Sequence, residues 1–193
     1  MSSSRRLFFA LWPSDELRND LVSVTSAIAH DSGGRVIPPE NLHVTLLFLG
    51  QVPEARFDAV QQAAHACANL PAFELSFDRA EVWGRANLLC LTTSATPPAA
   101  TALAEKLRHS LPDEVSSTSE HEFRPHITIA RDLPRRLAIA PCIASTSAIP
   151  GGRRRAEPMQ PLRMKVNDFV LVESRPGPRG SQYSVLIRCP LVS

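Results

Sequence analysis

Leu42-His43-Val44-Thr45-Leu46-Leu47-Phe48-Leu49 mixes alternation with a nearly continuous apolar run, and Gly50 closes it. Such a run predicts a strand in a well-covered sheet. Its opening recurs far down the chain as His126-Ile127-Thr128-Ile129, inside a second predicted strand from His126 to Ala130. Each copy sets a His and a Thr at i and i+2. Because successive strand side chains point to opposite faces, both polar groups share one face while Val44, Leu46, Ile127 and Ile129 turn toward a core. Either copy alone is ordinary, since a His and a Thr suit the exposed face of any half-buried strand. That two of the chain's six histidines share the pattern, in halves of similar make-up, predicts an internal duplication facing a shared cleft.

Outward from these strands, Arg5-Arg6 followed by Leu7-Phe8-Phe9-Ala10-Leu11-Trp12 reads as a buried first strand. Pro13-Ser14-Asp15-Glu16 opens a helix with Ser14 as N-cap and two carboxylates in the first turn. Leu17, Leu21, Val24 and Ile28 recur along that helix at helical spacing, and Gly33-Gly34 ends it. A second helix starts near Glu54 after Pro53, with Phe57, Val60, Ala64 and Cys67 on one side. Phe73 to Val82 and Leu88 to Thr93 predict a hairpin turning at Gly84-Arg85-Ala86-Asn87. Beyond Pro97-Pro98, Leu103, Leu107 and Leu111 mark a third helix, and the last strands are Val166 to Glu173 and Tyr183 to Arg188. Asp132 to Pro161, rich in Pro, Ala and Arg, predicts a flexible loop or partly helical insertion. Its Arg153-Arg154-Arg155 run reads as a solvated surface and receives no site role.

The composition narrows the function classes. With 193 residues, 44% hydrophobic and 21% charged, the chain reads as one globular domain. No apolar stretch of about 18 residues exists to span a bilayer. The N-terminal apolar run breaks at Pro13 before acidic residues, unlike a secretory signal. Cys67, Cys90, Cys142 and Cys189 lack the paired spacing of structural zinc, and a reduced, cytoplasmic protein is expected. A formal net charge of +2 is too small to argue nucleic-acid binding from bulk electrostatics, so any RNA contact must be local.

Imidazole, with an ordinary pKa of about 6.5, suits proton exchange near neutrality. Phosphodiester cleavage by water needs one proton removed from the nucleophile and another delivered to the departing oxygen, and two histidines facing one phosphorus supply both. The hydroxyls of Thr45 and Thr128 can donate to non-bridging oxygens. Arg131, five residues after His126, falls on the other face of an ideally extended strand; at a bent strand end it would bind phosphate, otherwise a surface carboxylate. Two His without Cys, Asp or Glu at ligand spacing make an incomplete zinc set, so no metal and no cofactor is expected. His30, His65, His109 and His121 fall on predicted helices or loops and read as solvent-facing or structural.

The chain resembles the 2H phosphoesterase superfamily, and within it the bacterial and archaeal RNA 2′,3′-cyclic phosphodiesterases once described as 2′-5′ RNA ligases. The matching pieces are Arg6-Leu7-Phe8-Phe9-Ala10, the stretch Pro39 to Gly50 around His43-Val44-Thr45-Leu46, the stretch Phe123 to Arg131 around His126-Ile127-Thr128-Ile129, and Phe169-Val170-Leu171-Val172-Glu173-Ser174. The resemblance implies an α+β, bilobal fold in a single domain over 1–193: two related lobes, approximately 1–95 and 96–193, each with an antiparallel sheet and outer helices, enclosing the active-site cleft. It implies hydrolysis of an RNA 2′,3′-cyclic phosphodiester to a 2′-phosphomonoester, with His43 as proton donor to the departing 3′ oxygen and His126 as proton acceptor from water. Thr45, Thr128 and Arg131 match the family's phosphate-binding positions. The implied partner is RNA with a 2′,3′-cyclic phosphate end, or a small cyclic nucleotide, with no membrane and no obligate protein partner. Phe8, Phe9 and Trp12 read as core packing of the first strand rather than as base-stacking groups.

Two rival readings use the same cleft. Reversible 2′-5′ ligation needs the same histidines, and a second RNA end held close. A module that binds RNA ends or nucleotides without turnover would need neither histidine, yet both motifs are complete.

Overall fold

The computed structural model describes residues 3–112, 114–115, 123–134, 153–178 and 180–192. The first strand, β1 (Ser4–Leu11), runs into helix α1 (Asp15–Asp31). Ser14 caps that helix, its hydroxyl accepting from Leu17 N–H at 3.2 Å, and Gly33 ends it at φ +62°, a conformation that costs glycine little. Thr25, rather than the expected Val24, lies on its buried side: Val24 is 44% exposed, and the Thr25 hydroxyl is satisfied by donating to the Leu21 carbonyl at 2.7 Å. A hydroxyl tied back to its own helix costs little to bury.

A two-residue strand, β2 (Arg35–Val36), and a 3₁₀ turn at Pro39–Asn41 lead into β3 (Val44–Pro53). Helix α2 (Phe57–Ala66), the hairpin β4 (Phe73–Trp83) and β5 (Leu88–Thr92), and helix α3 (Pro98–Ser110) follow. The remaining strands are β6 (His126–Arg131), β7 (Arg153–Val166), β8 (Asp168–Gly177) and β9 (Gly180–Pro190).

The fold is α+β with a large antiparallel sheet, in the order β7-β4-β5-β6-β3-β1-β8-β9, with β2 on β6. Its two four-strand groups meet at one residue pair, Val44↔Ile127, between β3 and β6. The strands do not group as residues 1–95 and 96–193. Leu7 to Ala10 of β1 pair with Glu173 to Val170 of β8, so both ends of the chain build one group and residues 73–166 supply the strands of the other. Hairpins keep sequence neighbours together, whereas the β1–β8 ladder spans most of the chain and leaves no local signal.

Two other expectations are corrected. The stretch expected as a loop to Pro161 contains, from Arg153 onward, the edge strand β7, which pairs with β4 from Phe73↔Val166 to Trp83↔Arg153. An edge strand tolerates Pro158 and Pro161 because one side needs no ladder; residues 135–152, including Cys142, lie outside the described residues. The strand expected from Val166 to Glu173 is two strands broken at Asn167, whose carbonyl accepts from Leu191 N–H at 2.7 Å.

One core fills the helix-bearing face of the sheet, joining Leu7, Phe9, Val44, Leu91, Ile127 and Phe169 to Leu21, Val60, Leu103 and Leu107. The opposite face carries a smaller buried cluster of Phe8, Ala10, Val170 and Val172, flanked by Trp12 and Tyr183. Among the described residues no helix is long and apolar enough to cross a membrane.

Candidate active site

The single rung between β3 and β6 decides the site. Val44 and Ile127 are both fully buried in the core. In antiparallel register this pairing carries His43 alongside Thr128 and Thr45 alongside His126, all on the opposite face. The two motifs thus interleave, with the histidines on one diagonal and the threonines on the other.

Both rings are held in the same way. His43 Nδ1 lies 2.7 Å from the Asn41 carbonyl, and His126 Nδ1 lies 2.8 Å from the Arg124 carbonyl. A carbonyl only accepts, so Nδ1–H donates in each case and Nε2 is left as the working nitrogen of both rings. The Nε2 of His43 is 3.2 Å from Thr45 Oγ1. Each anchoring carbonyl sits two residues before its histidine, which is a second layer of the internal repeat.

Around the half-buried His43 ring stand Phe8 at 5.1 Å, Trp12 stacked at 5.8 Å and Tyr183 edge-on at 5.2 Å between centroids. Burial pushes its pKa down to about 4, opposed by the Asn41 carbonyl and reinforced by Arg131 and His126. His126 lies against Trp83 at 4.4 Å, and burial lowers its pKa too, with Arg124 adding to the effect against the pull of the Arg124 carbonyl. Beneath His126, the buried Glu81 accepts from Arg124 Nη2 at 2.8 and 2.7 Å and from Trp83 Nε1–H at 3.2 Å.

Arg131 reaches the site through a bulge. Cys90 pairs with Thr128 and Leu89 with Ala130, which leaves Ile129 without a partner across the ladder. Ile129 and Ala130 both face the core, and Arg131 therefore returns to the histidine face, against the parity of ideal extension. It lines a cavity of about 130 Å³ together with Arg35, Asn41, His43, Thr128 and Tyr183. Its Nε is buried without a hydrogen-bond partner. The cavity exists because residues between Ile37 and Val44 leave the ladder: Ile37 N–H still bonds to the Ile129 carbonyl at 2.9 Å, and pairing resumes only at Val44↔Ile127. Gly34 permits this approach, since a Cβ there would stand 2.6 Å from the Arg131 carbonyl oxygen.

Thr45 and His126 occupy the neighbouring rung and do not line that cavity. A larger cavity, about 920 Å³, opens between the start of α1 and β7 and mixes Asp15, Glu74 and Asp168 with Arg163 and Lys165; neither motif lines it. His30, His65 and His109 are exposed on helices, while His121 lies outside the described residues. Among the described residues, no three His, Cys, Asp or Glu side chains come together so that they could hold a metal ion. Phe8 and Phe9 are core as expected; Phe8 also borders the His43 ring, and Trp12, packed against the Phe8 cluster, stacks on that ring. Glu81, Trp83, Arg124 and Tyr183 carried no motif; their only signal is the strand parity that puts Glu81 and Trp83 on one face.

Residues 13–178 match the model of the 2′-5′ RNA ligase superfamily. The chain belongs to that superfamily. It is similar to the RNA 2′,3′-cyclic phosphodiesterase of Escherichia coli strain K12, at 32% identity over 73% of this chain and 80% of that protein. It is also similar to the RNA 2′,3′-cyclic phosphodiesterase of Thermus thermophilus, at 31% identity over 94% of this chain and 87% of that protein. Among solved structures, E. coli LigT complexed with 3′-AMP superposes with a TM-score of 0.80 at 27% identity, covering 99% of this chain and 100% of that one. Membership in the 2′-5′ RNA ligase superfamily fits a site whose two copies of one motif meet across the central rung of the sheet.

Proposed function

We propose that this protein hydrolyses RNA 2′,3′-cyclic phosphodiester ends to 2′-phosphomonoesters, with His43 and His126 exchanging the protons and no metal taking part. The observation that carries the reading is the matched pair of Nδ1–H donations to the Asn41 and Arg124 carbonyls, which leaves two Nε2 atoms for chemistry on one face of the sheet. The names of the relatives support the substrate class.

In the proposed reaction, Nε2 of His126 takes a proton from water as its oxygen bonds to phosphorus. The bond from phosphorus to O3′ breaks, and Nε2–H of His43 delivers its proton to O3′, leaving the phosphate on O2′. Thr45, Thr128 and Arg131 hold the non-bridging oxygens while charge builds on them. The free protein disfavours a proton on His43. A bound phosphodiester anion reverses that preference by giving the imidazolium an opposite charge in a water-poor site.

Product analysis tests this. An RNA ending in a 2′,3′-cyclic phosphate, incubated with the protein in chelator, is expected to yield a 2′-phosphate. A 3′-phosphate exchanges the roles of the two histidines, loss of activity in chelator removes the metal-independent step, and binding without turnover leaves only a recognition module.

A further inference from the structure

Both motif histidines belong to a three-layer stack of imidazole, indole and guanidinium. Trp12 lies against His43 with ring planes 20° apart and centroids 5.8 Å apart, and the Arg18 guanidinium lies over the Trp12 ring, 5.1 Å from its centroid. Trp83 lies against His126 at 4.4 Å, and the Arg124 guanidinium lies over that ring at 5.4 Å. Duplication of the His-x-Thr motif does not account for the likeness. Trp12 follows β1, the strand beside β3, whereas Trp83 ends β4, two strands away from β6.

The stacks differ in how the cation is balanced. Arg124 meets both oxygens of the buried Glu81, at 2.8 and 2.7 Å. Arg18 has Asp15, whose carboxylate is wholly exposed and 3.7 Å away, beyond hydrogen-bond reach. The Arg18 side chain itself is 13% exposed, and its Nε and Nη2 are buried without a hydrogen-bond partner. Burial works against its charge, and so does Arg188, while Asp15 and Glu40 favour it; an arginine stays protonated regardless. One histidine therefore has an ion pair behind its indole, and the other has a cation without a bonded carboxylate.

Arg18 and His43 line different cavities, of about 920 and 130 Å³, and neither cavity is lined by both. Trp12 walls the larger one, so its indole stands between the guanidinium and the imidazole. We propose that Arg18 is a positioning residue for the proton donor: through the Trp12 indole it holds the His43 ring in place, and its charge makes that ring the readier of the two to release a proton. The two histidines are anchored alike through Nδ1, and the unequal cations give them unequal tasks. The charged and titratable groups that face His43 are Arg131 and His126 from β6, Arg18 from α1 and the Tyr183 phenol from β9. A cation beside an imidazole disfavours the imidazolium, and Arg18 acts on His43 in that sense.

This inference rests on the proposed hydrolysis, and its test separates the two. Arg18→Met keeps the length of the side chain without the charge, Arg18→Lys keeps the charge without the planar face, and Trp12→Leu removes the layer between. With adenosine 2′,3′-cyclic phosphate, Arg18→Met should lower the maximum of the pH profile of kcat roughly 2- to 30-fold, the span of a cation–π contact, with KM changed much less. In the free protein, the His43 ring titrated by NMR should take up its proton at higher pH in Arg18→Met, a shift that a residue bracing only the helix would not cause. Arg18→Lys should show the fall in kcat without the shift. In a Trp12→Leu background, Arg18→Met should lower kcat no further. An active protein in which Arg18→Met leaves either the kcat maximum or the ring titration unchanged, or acts as strongly once Trp12 is replaced, overturns the inference alone. An unmutated protein that cleaves no cyclic nucleotide overturns the hydrolysis, and the donor role with it.

Discussion

Glu81 grips Arg124 with both carboxylate oxygens, at 2.7 and 2.8 Å from one guanidinium nitrogen, and the backbone carbonyl of that arginine fixes the His126 ring. A carboxylate on β4 is thereby linked to the proposed general base on β6 without touching it. Arg124 also lies over the Trp83 ring, 5.4 Å from its centre, so the ion pair and the ring that abuts His126 form one support.

Glu81→Gln keeps the shape but removes the charge, and His126 should lose definition rather than substrate. We expect kcat on a 2′,3′-cyclic nucleotide to fall about 10- to 100-fold, the scale on which small misplacements act, with KM changed much less. Glu81→Asp should recover part of the loss. Steady-state kinetics on the three proteins checks this, and an unchanged kcat contradicts it.

The proposed reaction needs one proton shared between two rings whose pKa values both lie below the ordinary value, His43 at about 4. The pair titrates together, so the limbs belong to the pair. Above pH about 6.5 both rings are neutral in the free protein, and kcat/KM should fall toward tenfold per pH unit as pH rises. The limb in kcat should lie at higher pH, because bound phosphate favours the imidazolium. A pH series from about 5 to 9, spanning the ordinary imidazole range, checks both, and a kcat/KM that rises through neutrality contradicts the proton assignment.

Arg131 is a cation that depresses the His43 pKa, and in the proposed reaction it is also a phosphate ligand. Arg131→Ala should lower kcat/KM about 10- to 100-fold, as loss of a charge-assisted pair does, and move its alkaline limb upward. Arg131→Lys should keep the limb but not the rate, because an ammonium lacks the planar fork. An alanine variant whose limb stays in place contradicts the electrostatic part.

The paired His-x-Thr spacing was legible because strand parity needs only two residues, and the helices because Ser14, Pro53 and Pro97 punctuate them. Arg131 was ambiguous because parity fails at a bulge, and a bulge at Ile129 is invisible until β5 is seen to skip a residue. The edge strand β7 was hidden by Arg153-Arg154-Arg155 and two prolines, which read as loop until β4 is known to need a partner. Glu81 and Arg124 lie 43 positions apart, and they meet through the register of β4, β5 and β6. The carbonyls of Asn41 and Arg124 were beyond any side-chain reading, since every residue carries one.

Single replacement of each histidine bears most directly on the account. With adenosine 2′,3′-cyclic phosphate as substrate, His43→Ala and His126→Ala should each lower kcat about 10²- to 10⁴-fold, with folding unchanged by circular dichroism. A variant lacking either imidazole that retains more than about a tenth of the unmutated kcat would show that the two rings do not share the proton transfers.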